Sequence, residues 1–264
     1  MVDPVPENAA RNPVLLGVSL KLYLDIDESV TWAREIAAIA GAHPSVASGA
    51  IRVFVLPSLP ALPGVIEAIG GAPVAVGAQD LFWADRGAYT GAVSGADLRR
   101  LGCRYVEVGH AERRQVFGED AGTTRRKFTA ALRNDLTPVL CVGERDEQTP
   151  DAAAELCIAQ LEDALPAVGE ERIGDLVVAY EPEWAIGRDE PADAGHVAFV
   201  TRRLRRYLDG RPNIGSSAVI YGGSAKPGVI GALGDAVDGL FLGRFAHDPD
   251  SFELILQEAA AVIR

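Results

Sequence analysis

The chain has 264 residues, of which 48% are hydrophobic and 23% are charged, a composition typical of a globular domain. Its formal net charge of −12 argues against general binding to nucleic acids or anionic membrane surfaces, because both are negatively charged. If this protein binds an anion, the attraction must come from cationic groups placed at the site itself.

The first 13 residues have neither a basic segment nor an apolar core, so we expect a loose N-terminal arm and no secretory signal. No change in composition divides the rest, and we expect residues 1–264 to form a single domain. No apolar run approaches the roughly 20 residues needed to span a membrane. The cysteines, Cys103, Cys141 and Cys157, are odd in number and too widely spaced for a C-x-x-C motif, which fits a reducing cytoplasm best.

From residue 14 onward, short apolar runs alternate with helical patterns. We predict eight strands: Val14–Ser19, Ile51–Leu56, Val74–Ala78, Arg104–Val108, Thr137–Val142, Leu176–Tyr180, Ala218–Tyr221 and Gly239–Leu242. We predict eight helices: Glu28–Ala40, Pro60–Ile69, Ala96–Leu101, Thr123–Arg133, Asp151–Leu165, Ala192–Leu208, Pro227–Leu233 and Ser251–Ile263. This alternation favours an α/β fold with parallel strands, and eight units are enough to close a single (β/α)8 barrel. A doubly wound open sheet has the same alternation and is the alternative.

Parallel strands bring their C-terminal ends to one rim, so the residues that follow the strands share a candidate site. Lys21 follows the first strand and would supply a positive charge for an anionic substrate, although a surface lysine is the simpler alternative. The fourth strand leads into V-G-H-A-E-R-R, where His110 can exchange a proton with a substrate oxygen. A lone histidine is more often structural, but Glu112 and two arginines beside it indicate an arranged ion network.

Glu181 follows the apolar run of the sixth strand, and Pro182 ends the ladder directly after it. An acid at the C-terminal end of a parallel strand lies where ligands bind, although a solvated glutamate is the alternative. Trp184 and Gly187 combine a bulky anchor with a flexible point, which suits a loop that closes as a lid.

Three further strand ends carry candidate residues. Cys141 lies within the fifth strand with no histidine close in sequence, so a packed thiol is favoured over a nucleophile. The seventh strand ends in Y-G-G-S with Ser224, and the eighth in L-G-R with Gly243. Glycines here allow backbone N–H groups to approach an anion, as in the phosphate sites formed by the last two loops of such barrels.

Lys21, G-H-A-E-R-R, Y-E-P-E-W-A-I-G and Y-G-G-S occur in an order and spacing that resemble the triosephosphate isomerase family, from the first strand to the last. Further matching stretches are G-A-Q-D, G-A-Y-T-G, F-G-E and C-V-G-E, which begin at residues 77, 87, 117 and 141. The resemblance implies a TIM barrel and isomerisation through an enediolate. The family is a standard example of a glutamate base with a histidine and a closing loop, so this mechanism comes from the resemblance alone.

By this resemblance, Glu181 removes a proton from the carbon next to a carbonyl, His110 moves protons between the two oxygens, and Lys21 stabilises negative charge. The resemblance further implies a set of phosphate contacts through backbone N–H groups: Gly187, Ser224 and Gly243.

Other implied features concern the surroundings of the site. Glu112 would support the site, and Tyr221 would help to latch the closed lid. The segment 80–91 resembles the loop that reaches into a neighbouring subunit, so a homodimer is expected. The partner molecule would be a small phosphorylated ketose, and no metal or organic cofactor is implied.

The chain departs from the family at several positions. The usual N-x-K is here Ser19-Leu20-Lys21, and the usual lid P-V-W-A-I-G-T-G-K is here P-E-W-A-I-G-R-D-E. Three single departures are Ala92 after T-G, Ala111 after the histidine, and Arg244 in the last phosphate loop. Arg244 either adds a guanidinium contact to the phosphate or points outward.

The change from asparagine to Ser19 suggests a substrate. It removes about two heavy atoms beside the reacting end of the ligand, roughly the room that one CH2OH group needs. The S-x-K and L-G-R variants also resemble the branch of the family that acts in erythritol breakdown. We therefore expect interconversion of L-erythrulose 1-phosphate and D-erythrulose 4-phosphate.

Two alternatives remain open. One is triosephosphate isomerisation itself, with Ser19 explained by burial. The other is a non-catalytic relative that only binds a sugar phosphate. The altered lid tip and Arg244 favour such a relative, whereas a base at Glu181 is of little use to it.

Overall fold

Eight parallel strands close into a barrel in the order in which they occur along the chain, and the last strand pairs with the first. The computed structural model describes residues 13–166, 172–188 and 190–263. The strands are β1 (Val14–Ser19), β2 (Ile51–Leu56), β3 (Val74–Ala78), β4 (Tyr105–Val108), β5 (Thr137–Val142), β6 (Ile173–Tyr180), β7 (Ile214–Tyr221) and β8 (Gly239–Leu242). The predicted (β/α)8 barrel is confirmed, and the doubly wound alternative is wrong.

Helices lie outside the barrel and connect the strands. Those in the described residues are α1 (Ile26–Ala42), α2 (Pro44–Ala47), α3 (Leu62–Ile69), α4 (Gly95–Leu101), α5 (Ala111–Val116), α6 (Ala121–Arg133), α7 (Pro150–Ala164), α8 (Ala194–Asp209), α9 (Val229–Leu233) and α10 (Pro249–Val262). Within these residues, every helix is too short or too polar to cross a lipid bilayer.

Strand residues alternate between the barrel interior and the helical layer, as the period of two requires. The interior holds a small apolar cluster: Leu15, Phe54, Leu56, Val139, Cys141, Val177, Ala179, Ile220 and Phe241. The Phe54 ring stacks on Tyr105 with ring centroids 4.4 Å apart. This packing requires a glycine on β1, because a Cβ at Gly17 would lie 2.1 Å from the Phe54 ring. The barrel is thus a filled core with its open space at the rim.

Helix starts are set by side chains that the sequence provides. Asp25 caps α1 and forms a reciprocal capping box with Glu28. Thr149 and Asp248 cap α7 and α10, each with a proline at the first helical position. These caps fix the directions in which the rim loops leave the barrel.

The predicted elements differ from the observed ones mainly at their ends. β4 begins at Tyr105, one residue later than predicted, whereas β6 and β7 begin earlier, at Ile173 and Ile214. Two short helices, α2 and α5, were not predicted. Residues 1–12 of the predicted N-terminal arm and residue 189 of the lid tip lie outside the described residues.

Candidate active site

The three predicted catalytic side chains come together at the C-terminal rim. Lys21 lies just after β1, His110 just after β4, and Glu181 directly after β6. His110 Nε2 is 3.5 Å from Glu181 Oε2. All three side chains line one cavity, although 160 positions separate the first from the last in sequence.

The predicted substrate-binding residues line the same cavity. They are Ser19, Gly187, Ser224 and Gly243. Arg244 lines it as well, so its guanidinium does not point away from the site. The structure therefore gathers strand ends β1, β4, β6, β7 and β8 around one space.

His110 presents a defined ring nitrogen to this space. The backbone N–H of Glu112 donates to His110 Nδ1 at 3.2 Å, at the point where α5 begins. Because Nδ1 accepts this hydrogen bond, the neutral imidazole carries its proton on Nε2. That N–H faces Glu181 and the cavity, where it can donate to a substrate oxygen.

The position of Lys21 is set by a hydrogen bond from its ammonium group and by an unusual backbone conformation. Its Nζ donates to Glu112 Oε1 at 2.8 Å. Burial lowers the pKa of the ammonium group, but nearby carboxylates, led by Glu112, outweigh burial and raise that pKa above its ordinary value. Lys21 has a φ of +49°, in the left-handed region that non-glycine residues seldom occupy. The positive charge therefore stays fixed at the rim beside Glu112, whose supporting role stays a prediction.

Glu181 is buried, with 3% of its surface exposed, and its Oε2 has no hydrogen-bond partner among the described residues. The opposite side of the carboxylate is against β7, where a Cβ at Gly222 would lie 2.8 Å from Oε1. A glycine at this position is therefore required for the carboxylate to fit. A buried carboxylate oxygen that faces the cavity with a free lone pair is suited to accept a proton.

Sequence reasoning did not identify Glu107, which lies on β4 and is 4% exposed. Ser19 Oγ donates to its Oε2 at 3.2 Å, and His110 Nε2 is 3.7 Å from its Oε1. Burial raises the pKa of this carboxyl to about 7, with the charge of Glu181 adding to the effect and His110 opposing it. The available signal was an acid inside the otherwise apolar run Tyr105–Val108.

Cys141 lies beside these carboxyl groups on β5. Its Sγ is 4.0 Å from Glu107 Oε1. Burial, followed by the charges of Glu181 and Glu107, raises the pKa of the thiol well above its ordinary value. A protonated thiol is a poor nucleophile. Its position agrees with the packed role that we predict.

The loop after Glu181 lies over the cavity and touches the ends of β7 and β8. Ser224 Oγ is 2.7 Å from the carbonyl oxygen of Ala185 and 2.9 Å from that of Arg188. Arg244 Nη2 is 3.4 Å from the carbonyl oxygen of Gly187. These contacts hold the loop, which we predict to act as a lid, over the cavity.

Both ends of the lid are attached to the barrel. At its start, Glu183 accepts hydrogen bonds from Arg114 and Gln115. At its end, the backbone N–H of Ala192 donates to the Tyr221 hydroxyl at 3.2 Å. Tyr221 thus contacts the end of the lid, and its role as a latch stays a prediction.

Comparisons with known proteins agree with this geometry. The sequence profile described as Triosephosphate isomerase matches residues 14–259. A Pectobacterium atrosepticum protein named L-erythrulose-1-phosphate isomerase is 50% identical over 245 residues, which cover 92% of this chain and 95% of that protein. A Moorella thermoacetica triosephosphate isomerase is 39% identical over 251 residues, 93% of this chain and 98% of that protein.

A crystal structure of triosephosphate isomerase from Bartonella henselae superposes with a TM-score of 0.78. The two chains are 27% identical, and the match covers 95% of this chain and 100% of that one. The barrel and the sequence motifs therefore indicate the same relationship.

The buried carboxyl of Glu107 leads to a prediction about stability and pH. Its pKa rises from an ordinary 4.5 to about 7 on folding, so the native state binds more protons than the unfolded state between these values. The free energy of unfolding should therefore fall as pH rises through this window, by on the order of 3 kcal/mol from this group.

The variant Glu107→Gln has no titratable group at position 107, so comparison with the wild type isolates the contribution of this carboxyl to the pH dependence of stability. Urea unfolding of both proteins at one protein concentration, from pH 5 to pH 8.5, should show the wild type losing stability relative to the variant as pH rises. A difference between the two proteins that does not change with pH would show that the carboxyl keeps its ordinary pKa.

Proposed function

The chain belongs to the triosephosphate isomerase family, and on this premise we propose that it interconverts L-erythrulose 1-phosphate and D-erythrulose 4-phosphate. The observation that carries the chemistry is the convergence of Glu181, His110 and Lys21 on one cavity. The observation that supports the four-carbon substrate is the 50% identical relative of that name, which aligns over nearly its whole length.

In this proposal, the reaction moves one proton between neighbouring carbons. The Glu181 carboxylate takes the proton from C3 of L-erythrulose 1-phosphate, and His110 Nε2 gives a proton to the C2 oxygen. Glu181 then returns its proton to C2 of the resulting enediol while His110 Nε2 takes back a proton from the C3 oxygen, which gives D-erythrulose 4-phosphate. No atom is gained or lost, and the 3.5 Å between Nε2 and Oε2 lets both groups act on adjacent atoms of one substrate.

Charge stabilisation falls to Lys21, whose ammonium group is close enough to bind the developing oxyanion. The phosphate lies, in this proposal, against the backbone N–H groups of Gly187, Ser224 and Gly243. Arg188 and Arg244 also line this end of the cavity and add positive charge. The closed lid excludes water, which protects the enediolate from side reactions.

The first prediction concerns the base. The variant Glu181→Asp withdraws the carboxylate by about one carbon–carbon bond, so kcat should fall by roughly 100-fold or more while KM changes little. The measurements are steady-state kinetics and deuterium incorporation from D2O into the ketose phosphate. Glu253→Asp, the same change on the exposed face of α10, should keep full activity.

Deuterium incorporation also separates the enzyme from a relative that only binds. A wild-type protein that binds the ketose phosphate without exchanging its proton would contradict the proposal and favour the binding relative. Equal kcat in wild type and Glu181→Asp would remove Glu181 as the base.

The second prediction concerns the substrate. The family profile and the Moorella thermoacetica relative favour the triose phosphate reaction as the second candidate. We expect kcat/KM to be at least about tenfold higher for L-erythrulose 1-phosphate than for glyceraldehyde 3-phosphate, because a pocket discriminates by such factors for one carbon group. A preference for the triose phosphate, measured on the same preparation, would contradict the four-carbon substrate.

We also propose a homodimer. A groove of about 930 Å³ adjoins the cavity and is lined by Leu22, Trp83 and Phe117. Leu22 is 85% exposed and Phe117 is 62% exposed, and exposed apolar groups of this size are typical of interfaces. Light scattering on a size-exclusion column should give twice the chain mass, and a monomer at micromolar concentration would contradict the dimer.

A cytoplasmic location is part of the same proposal. All three cysteines are buried and unpaired, which suits a reducing compartment. Cell fractionation tests this location, and recovery from an extracellular or periplasmic fraction would contradict it.

A further inference from the structure

Glu107 is a carboxyl group in the interior of a barrel whose other inward side chains are mostly apolar. On the neighbouring strand β5, Val139 is its register partner and the Cys141 thiol lies beside its carboxyl group. With 4% of its surface exposed, the carboxyl is removed from bulk water. Burying such a group is unfavourable unless its oxygens are satisfied by good partners.

The partners that Glu107 has do not offset this burial. Ser19 donates one hydrogen bond of 3.2 Å, the Cys141 thiol is at 4.0 Å, and the His110 ring nitrogen is at 3.7 Å. Lys21 contributes a favourable charge interaction, but its ammonium group is paired with Glu112, and only the Ser19 hydroxyl is at hydrogen-bond distance from Glu107. A buried acid held this weakly beside catalytic groups is a candidate for contact with substrate.

The position of Glu107 relative to the reaction is well defined. His110 Nε2 lies between two carboxyl groups, 3.5 Å from Glu181 and 3.7 Å from Glu107. The phosphate loops and Glu181 line the cavity, whereas Glu107 lines the adjoining groove. The two spaces share the lining residues Ser19, Lys21, Tyr23 and His110. Glu107 is therefore beyond the reacting atoms, on the side away from the phosphate loops.

A four-carbon substrate places an additional group on that side. The carbon from which Glu181 removes a proton carries a CH2OH group in a tetrulose phosphate and none in a triose phosphate. This group needs space and a polar partner for its hydroxyl. Ser19 is small and leaves space, and the carboxyl opposite it is able to accept or donate a hydrogen bond.

We infer that Glu107, together with Ser19, binds the terminal hydroxymethyl group of the substrate and thereby selects a tetrulose phosphate over a triose phosphate. This inference rests on the proposed function and adds a specificity-determining residue to it. The hydroxymethyl group is present in both the substrate and the transition state. A variant that no longer binds this group should therefore have a higher KM and a largely unchanged kcat.

The test uses two variants of Glu107 and two substrates. Glu107→Leu keeps the volume and removes the polar atoms, and kcat/KM for L-erythrulose 1-phosphate should fall by about 10- to 100-fold, largely through KM. In the same variant, kcat/KM for dihydroxyacetone phosphate should change by less than about threefold. Glu107→Gln keeps hydrogen bonding and should restore most of the lost kcat/KM.

A matched control lies one layer deeper on the same strand. Tyr105→Phe removes a hydroxyl from the barrel interior without reaching the cavity, and both substrates should be turned over as in wild type. A second variant, Ser19→Asn, refills the space without changing the carboxyl. It should move the substrate preference in the same direction as Glu107→Leu, which keeps the test informative if Glu107→Leu does not fold.

The outcomes separate this inference from the proposed function. Equal losses on both substrates in Glu107→Leu would assign a catalytic or structural role to the residue and overturn the inference. Unchanged kinetics in Glu107→Leu would overturn it as well. A wild type that turns over only the triose phosphate would instead contradict the proposed function, and that result is obtained without any variant.

Discussion

One imidazole N–H facing two buried carboxyl groups is the constraint on which the rest of the site depends. Nε2 of His110 lies 3.5 Å from Glu181 and 3.7 Å from Glu107, and both acids are almost fully buried. Two carboxylates so close disfavour each other's charge, and burial raises the pKa of Glu107 first. Ser19 donates to Glu107 and not to Glu181, so the free oxygen is left on the acid nearest the lid.

Charged side chains link the lid to the segment that carries His110. Glu144 is fully buried and accepts hydrogen bonds from Tyr180 at 3.1 Å and from Trp184 Nε1 at 2.8 Å, which holds the start of the lid against β6. Arg114 donates to the carbonyl oxygens of Gly109 and Cys141 and also pairs with Glu183. One guanidinium thus joins the segment that carries His110 to the hinge of the lid. An acid at position 183 gives the hinge a contact that an apolar residue there does not make.

Much of this fold was predictable because each strand is an apolar run bounded by polar residues, and five of the eight strand ranges were predicted without error. β6 and β7 were predicted too short because glycine and polar residues follow their first isoleucine, at positions 174–175 and 215–217, and interrupt the apolar run. Asp175 pairs with Ser216 across these strands and accepts its hydroxyl at 2.6 Å, so the ladder continues where the apolar pattern has ended. Helix α5 was missed because it has only six residues, half of them charged, and it begins directly after His110, its N-cap.

The residues of the site that follow the strands could be predicted from the sequence. Those that point into the barrel from within a strand could not. Arg-Tyr-Val-Glu-Val predicts a strand, yet both faces of a barrel strand are buried, so apolar periodicity does not tell which residues face inward. Glu107 was therefore not identified, although Ser19, its hydrogen-bond partner, was. Ser19 and Glu107 are 88 positions apart in sequence, and only the closed barrel brings their side chains into contact.

The protein has a net negative charge, and so does its proposed ligand. The net charge repels the ligand at long range, whereas cationic side chains at the cavity attract it at short range. A chain with a net charge of −12 repels a phosphate dianion at long range. At physiological ionic strength, this repulsion is screened beyond about 8 Å. At short range the cavity wall itself presents three cationic side chains: Lys21, Arg188 and Arg244. Arg244 approaches the Gly187 carbonyl and Arg188 lies over Trp184, so the loop that covers the cavity holds both guanidinium groups in place. The local positive field comes from these three side chains, and an acidic surface does not prevent it from attracting an anion.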